Sequence, residues 1–229
     1  MTVGPPAPSV ADALLTRRSV RGYRPDPVPR ATIERLLELA ARAPSGTNIQ
    51  PWRVHVLTGA ALRRLSADVL AALDSGVAPT PDYDYYPPAW REPYLSRRRK
   101  IGWDLYGLLG IGRGDKAAMH AQLGRNFDFF GAPVGLMFTI DRDMGTGAFI
   151  DLGMFMQGVM TAARAHGLDT CPQAAFAAHA PLIRRHLGAP DTEMVVCGMA
   201  LGTADPDEPA NRLVTEREPV GAFAVFHET

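Results

Sequence analysis

Ala43-Pro44-Ser45-Gly46-Thr47-Asn48-Ile49-Gln50-Pro51-Trp52 ends an amphipathic helix, crosses a polar turn and enters a hydrophobic strand. On its N-terminal side Ile33, Leu36, Leu37, Ala40 and Ala41 recur at helical spacing. Pro29 suits the first turn of that helix, and Pro44 stops it, because proline lacks an N–H and disfavours a helical residue before it. On the C-terminal side, residues 52–57 read as a strand, with Val54 and Val56 on one face and Arg53 and His55 on the other. Thr58-Gly59 then opens a further helix that buries Leu62, Leu65, Val69 and Leu73. Inside the turn, Ser45, Thr47, Asn48 and Gln50 offer four polar side chains, held between prolines. Gly and Asn are also ordinary at a helix end, so the turn alone fits a simple cap.

A second cluster lies upstream. Ser9, with Asp12 three residues on, forms a capping box for a short helix over residues 10 to about 18. That helix delivers Arg17-Arg18-Ser19-Val20-Arg21. Guanidinium forks and a hydroxyl suit a phosphate monoester, although arginines at a helix C-terminus also complement the macrodipole. The basic cluster and the polar hook together form the layout of a protein that holds a phosphorylated planar cofactor.

Downstream, residues 76–93 carry Pro79, Pro81, Pro87 and Pro88 interleaved with Tyr83, Tyr85, Tyr86 and Trp90. A loop this long and aromatic is more often functional than idle. A helix returns near Tyr94, residues 107–114 break it with glycines, and another helix spans 116–130. A strand follows over 134–140, then an apolar helix over 149–166 with Gly153 and Gly158 inside it. Interior glycines cost about 1 kcal/mol each against alanine, so a closely packed backbone, such as a partner helix, is expected there. Gly167 stops that helix, a short helix follows Pro181, and a last strand spans 194–201. The tail, 203–229, is extended. Its Leu213, Val214, Val220, Phe223, Val225 and Phe226 need burial, on the body of the protein or on a second subunit. With no repeat and no clean linker, 1–229 reads as one α+β domain, with 76–114 as an aromatic insert and lid.

Composition removes several classes of function. The 229 residues are 46% hydrophobic and 21% charged, with Lys+Arg and Asp+Glu both at 24. No overall field draws the chain to nucleic acid or an acidic membrane. No apolar run approaches a bilayer span, and Met1 to Pro8 lacks a leader pattern, so a cytoplasmic protein is expected. Cys171 and Cys197 read as reduced core thiols. The six histidines lack metal-ligand spacing, and neither HExxH nor Gly-x-Ser-x-Gly occurs. Gly110-Ile111-Gly112-Arg113-Gly114 lacks the preceding strand and third spaced glycine of a dinucleotide fingerprint. Arg97-Arg98-Arg99-Lys100 is a charge run whose members, about 100° apart on a helix, cannot all face one site.

Read together, Arg17-Arg18-Ser19-Val20-Arg21 and the hook resemble the flavin-dependent nitroreductase family. His166-Gly167-Leu168-Asp169-Thr170-Cys171-Pro172 is similar to the family's helix end before its flavin-edge loop, and Arg217-Glu218-Pro219 to its closing basic residue. The insert with Tyr83, Trp90 and Tyr94 resembles the nitrobenzoate reductase branch. The resemblance implies a mainly antiparallel sheet surrounded by helices, in an intertwined homodimer with FMN at the interface and NAD(P)H as a transient donor. It implies that Arg17, Arg18, Ser19, Arg21 and Arg217 take the phosphate and ribityl end. Pro44, Ser45, Gly46 and Asn48 would cover the partner's flavin. Asn126 would touch the pyrimidine edge, and Pro172, Gln173, Ala174 and Ala175 would line the N5 side. Many relatives carry an acidic residue in that last stretch, where this chain reads Pro-Gln-Ala-Ala. A small nitroaromatic acceptor is implied, with Tyr83, Trp90 and Arg97 as candidate substrate contacts and no catalytic side chain. Reductive dehalogenation, flavin fragmentation and non-catalytic flavin binding on the same fold are alternatives, as is a partner-binding domain outside flavin chemistry.

Overall fold

A computed structural model describes residues 6–228. The stretch Met1 to Pro8, expected to lack a leader pattern, therefore lies largely outside the described residues, as does the last residue of the tail, Thr229. The described elements run α1 (Val10–Thr16), α2 (Arg30–Ala40), β1 (Arg53–Thr58), α3 (Gly59–Asp74), α4 (Tyr94–Leu108), α5 (Lys116–Gly124), β2 (Val134–Asp141), α6 (Gly147–Ala165), β3 (Asp169–Gln173), α7 (Ala180–Leu187) and β4 (Glu193–Gly202). The four strands form one antiparallel sheet in the order β1-β2-β4-β3, which is the α+β class expected.

Strand periodicity sends alternate residues to opposite faces, and each face has its own core. Leu136 and Phe138 of β2 join α2 and α6 through Ile33, Leu36, Leu152, Phe155 and Val159. Met137 and Ala200 join α3 and α7 through Leu65, Val69 and Ile183. β2 and β4 are buried almost throughout because helices cover them on both sides. Each fully buried Leu, Ile or Phe contributes about 1.5–3 kcal/mol. Gly158 explains how α2 and α6 approach: a Cβ there would lie 3.1 Å from the Cα of Ala40. The backbone that packs on Gly158 is thus the chain's own α2. Gly153 faces open space, beside exposed Ile150 and Met154.

Several expected boundaries change. α1 ends at Thr16, because Arg17 is already extended. α5 stops at Gly124 and does not reach residue 130. Burial overrides helix propensity there: Phe129 and Phe130 turn into left-handed backbone at φ 54° and 55° and put both rings into the core. Residues 169–173, read by resemblance as part of a helix end leading to a flavin-edge loop, add the strand β3 to the sheet edge. β1 is the opposite edge, so Val56 is 40% exposed and Val54 only half-buried. Of the six apolar tail residues expected to need burial, only Leu213 is buried; Val214, Val220, Phe223, Val225 and Phe226 stay exposed on the single chain.

Candidate cofactor site

The end of α1 turns outward at Arg17 and meets the C-terminal end of β4 and the start of the tail. Between them lies a cleft of about 740 Å³. Arg17, Arg18 and Arg217 line it, together with Arg24 and Arg164. Arg164 is neutralised by Asp169 at 2.9 Å, and Arg24 pairs with Asp26 at 2.8 Å. Arg217 donates to the Thr215 hydroxyl at 2.7 Å. Among the described residues no carboxylate lies within ion-pair distance of Arg17, Arg18 or Arg217, although Asp169 lines the same cleft and acts on Arg18 through space. Burial and the nearby Arg217 charge hold the Arg17 guanidinium below its usual pKa. Like charges gathered in a cleft repel one another unless an anion joins them. Burial lifts the Asp169 carboxyl above the usual range, against the pull of Arg164. The arrangement fits a phosphate dianion.

Ser19 and Arg21 do not line this cleft. Ser19 bridges to Thr170 of β3, and both side chains lie near the Cys171 thiol. Arg24, Arg164 and Thr203 complete the cleft without any sequence signal, because they come from a connector, a helix end and the residue after β4.

A second group forms where β3 ends. Gln173 is 2% exposed and donates from Nε2 to the Asn126 carbonyl at 2.5 Å. The structure thus joins two residues assigned separately to the flavin edge. The Asn126 amide itself donates to the Leu123 carbonyl. The buried Gln173 Oε1 has no partner, and an orphaned acceptor of this kind suits a ring N–H. Pro172 is half-buried, and Ala174 and Ala175 begin the short 3-10 turn Ala174–His179.

The hook stands apart from the cleft: Pro44, Gly46 and Asn48 are exposed, and none of them lines it. Its backbone is unusual. Thr47, Asn48 and Gln50 take φ of 48°, 60° and 50°. Such left-handed residues cost on the order of 1 kcal/mol or more each and persist only where surroundings hold them. Here the Ser45 hydroxyl accepts from the Gln50 N–H at 3.0 Å, Gly46 N–H reaches Asp151, and Trp52 stacks on Phe155 with ring centroids 4.8 Å apart.

The aromatic loop is fixed at its root. Asp82 receives Arg142 at 2.6 Å, Arg184 at 2.5 Å and the Val195 N–H at 2.9 Å. Tyr83 donates to the Val196 carbonyl at 2.7 Å and packs on Phe149, so it is a tether rather than a free wall. Tyr85 and Tyr86 remain exposed, and Trp90 lies 5.3 Å from Tyr86. Arg97 is engaged by Glu218 of the tail at 2.9 Å, and Lys100 by Asp104 and Glu216. Of the basic run, Arg98 is the member over the Trp90 ring, at 5.0 Å.

The sequence model of the Nitroreductase family matches residues 14–203, and the chain belongs to that family. It is 42% identical to a 4-nitrobenzoate reductase of Nocardioides sp. (strain LMS-CY), with 96% of this chain and 91% of that protein covered. It is 39% identical to a chloronitrobenzene nitroreductase of Comamonas testosteroni, covering 98% and 100%. A crystal structure of the FMN and NADPH-dependent nitroreductase NfnB from sphigopyxis sp. strain HMH superposes with a TM-score of 0.93, at 39% identity over 96% of this chain and all of that one.

Proposed function

We propose that the protein is an FMN-dependent NAD(P)H oxidoreductase that reduces small nitroaromatic compounds. The observation that carries this is the cleft in which Arg17, Arg18 and Arg217 converge with no carboxylate in ion-pair contact with them. Bound there, FMN would supply hydride acceptance from NAD(P)H and two-electron delivery to a nitro group.

The chain's own part is binding and orientation. Arg17, Arg18 and Arg217 hold the phosphate through charge-assisted hydrogen bonds. Gln173, braced by Asn126, offers its unpaired acceptor to the polar ring edge. Pro172, Ala174 and Ala175 would line the N5 side with backbone and little bulk. Tyr86, Trp90 and Arg98 supply an aromatic and cationic surface for an acceptor such as nitrobenzoate, in preference to Arg97, which the tail occupies.

The site is completed by a second copy. In support, the hook's exposed polar groups do not line the cleft, α6 exposes Ile150, Gly153 and Met154, and the tail exposes five apolar residues. The tail would pack on that second copy. No described helix is long and apolar enough to cross a membrane. The two free thiols suit a reducing, cytoplasmic setting.

The test is spectroscopic. The purified protein should carry flavin absorbance, bleach anaerobically with NADH or NADPH, and reoxidise fastest with nitrobenzoate or nitrobenzene. Faster turnover with a halophenol would redirect the reading to dehalogenation. Protein that neither contains nor takes up FMN would end it.

A further inference from the structure

We infer that Asp151 is the positioning residue of the hook, a buried carboxylate on α6 that holds Ser45, Gly46 and Asn48 in the shape presented to the second subunit's flavin. The inference rests on the proposed flavin function and extends it to a residue that touches neither phosphate nor ring.

Asp151 is 6% exposed, yet no cation pairs with it among the described residues. Its partner is a backbone N–H: Gly46 N lies 3.3 Å from one carboxylate oxygen and 3.2 Å from the other. A buried charge is costly unless hydrogen-bonded, so its placement against the hook needs a return elsewhere. That return is the hook's backbone. Immediately after Gly46, Thr47 and Asn48 adopt left-handed φ, and Gln50 does so again. Strain of this kind collects where a loop is shaped for a ligand, and it relaxes if its restraints are removed.

α6 supplies the restraints in pairs. Asp151 and Phe155 are four residues apart, so they share one face of the helix. Asp151 holds the hook near its start, and Phe155 holds Trp52 just past its end. Between these two fixed points the polar side chains stand exposed. Asp151 lies next to Ile150, which is 64% exposed, so one helix carries both the bare apolar surface and the grip on the hook.

The test compares FMN dissociation constants for wild type, Asp151→Asn, Asp151→Ala and Gly46→Pro, each with its oligomeric state measured by sedimentation. Asp151→Asn keeps an acceptor oxygen and should bind FMN within about threefold of wild type. Asp151→Ala should bind at least about tenfold more weakly, through faster release, while remaining the same oligomer. Gly46→Pro removes the donor and leaves α6 untouched; Ser45 is already extended, as a residue before proline prefers, and a Cβ at position 46 meets nothing within 4 Å. It should reproduce the Asp151→Ala loss, and it decides the matter if Asp151→Ala fails to fold. Unchanged FMN affinity in Gly46→Pro, or equal losses in Asp151→Asn and Asp151→Ala, would overturn the inference. Wild-type protein unable to bind FMN would instead overturn the proposed function.

Discussion

At the scale of single residues, the cleft makes a prediction about phosphate. Arg17→Ala or Arg217→Ala should weaken FMN binding by about ten- to a hundredfold each, the loss of one charge-assisted hydrogen bond. Riboflavin, which has no phosphate, should bind all three proteins alike; a matching loss for riboflavin would remove the phosphate assignment. The same substitutions should not destabilise the apoprotein, since each relieves repulsion between like charges. The thiols behave oppositely. Cys171 and Cys197 are buried, and burial pushes them up to about 11 and about 12. A thiol reagent at pH 8 should label neither in the native protein and both after denaturation. These residues divide by legibility. Arg17 and Arg18 were readable because a single turn of chain carries them, and Arg217 through resemblance. Arg164 was not, because only the end of α6 and the entry to β3 bring it against Asp169. Asp151 was invisible, since one acid in an apolar helix carries no pattern.

Among the elements, the loop root has the clearest consequence. Asp82→Ala leaves Arg184 and Arg142 without their shared carboxylate, at a cost of about 2 kcal/mol. That is a fall in Tm of about 4–8 °C for a chain of this size. Limited proteolysis should then cut within 76–93 faster, and KM for a nitroaromatic should rise while FMN content holds. Burial works against the charged form of Asp82, but bonds from Arg142, Val195 and Arg184 outweigh it and hold the carboxyl below its usual range. A depressed carboxylate contributes stability above its unfolded pKa and loses it as pH falls through the folded one. The loop should therefore loosen below about pH 4 and not at neutral pH. Element identity was largely written in the sequence: the periodicities of α2, α3, β2, α6 and β4 survive with small shifts of their ends. The failures share a cause. α5 was cut short by the burial of Phe129 and Phe130, and β3 is too short and polar to announce itself without β4 beside it. Local pattern yields where tertiary contacts set the backbone.

For the whole molecule, the exposed tail and the outward hook lead to a coupling. Removing residues 220–229, which spares Arg217, should shift the protein towards monomer and lower its FMN content in parallel. A stable monomer with full flavin, seen by light scattering and absorbance, would contradict a shared site. Alkaline pH should act on the fold separately. Both thiols have folded pKa values raised above the unfolded one, so their contribution is complete below about pH 8.5 and is lost as pH rises towards about 11 for Cys171 and about 12 for Cys197. Tm should be flat from pH 7 to 8 and fall beyond 9, less steeply in Cys171→Ala.

The contact of Gly158 with Ala40 sets a tolerance. Ala40 closes α2, and the hook begins four residues later. A methyl group at position 158 would act as a shim, since 3.1 Å is too tight for it and backbone must give by a few tenths of an ångström. Gly158→Ala would thereby re-aim the hook from behind, with every residue proposed to face the flavin unaltered. If the hook serves the flavin as proposed, position 158 would be a set-screw for cofactor grip that can be turned without entering the site.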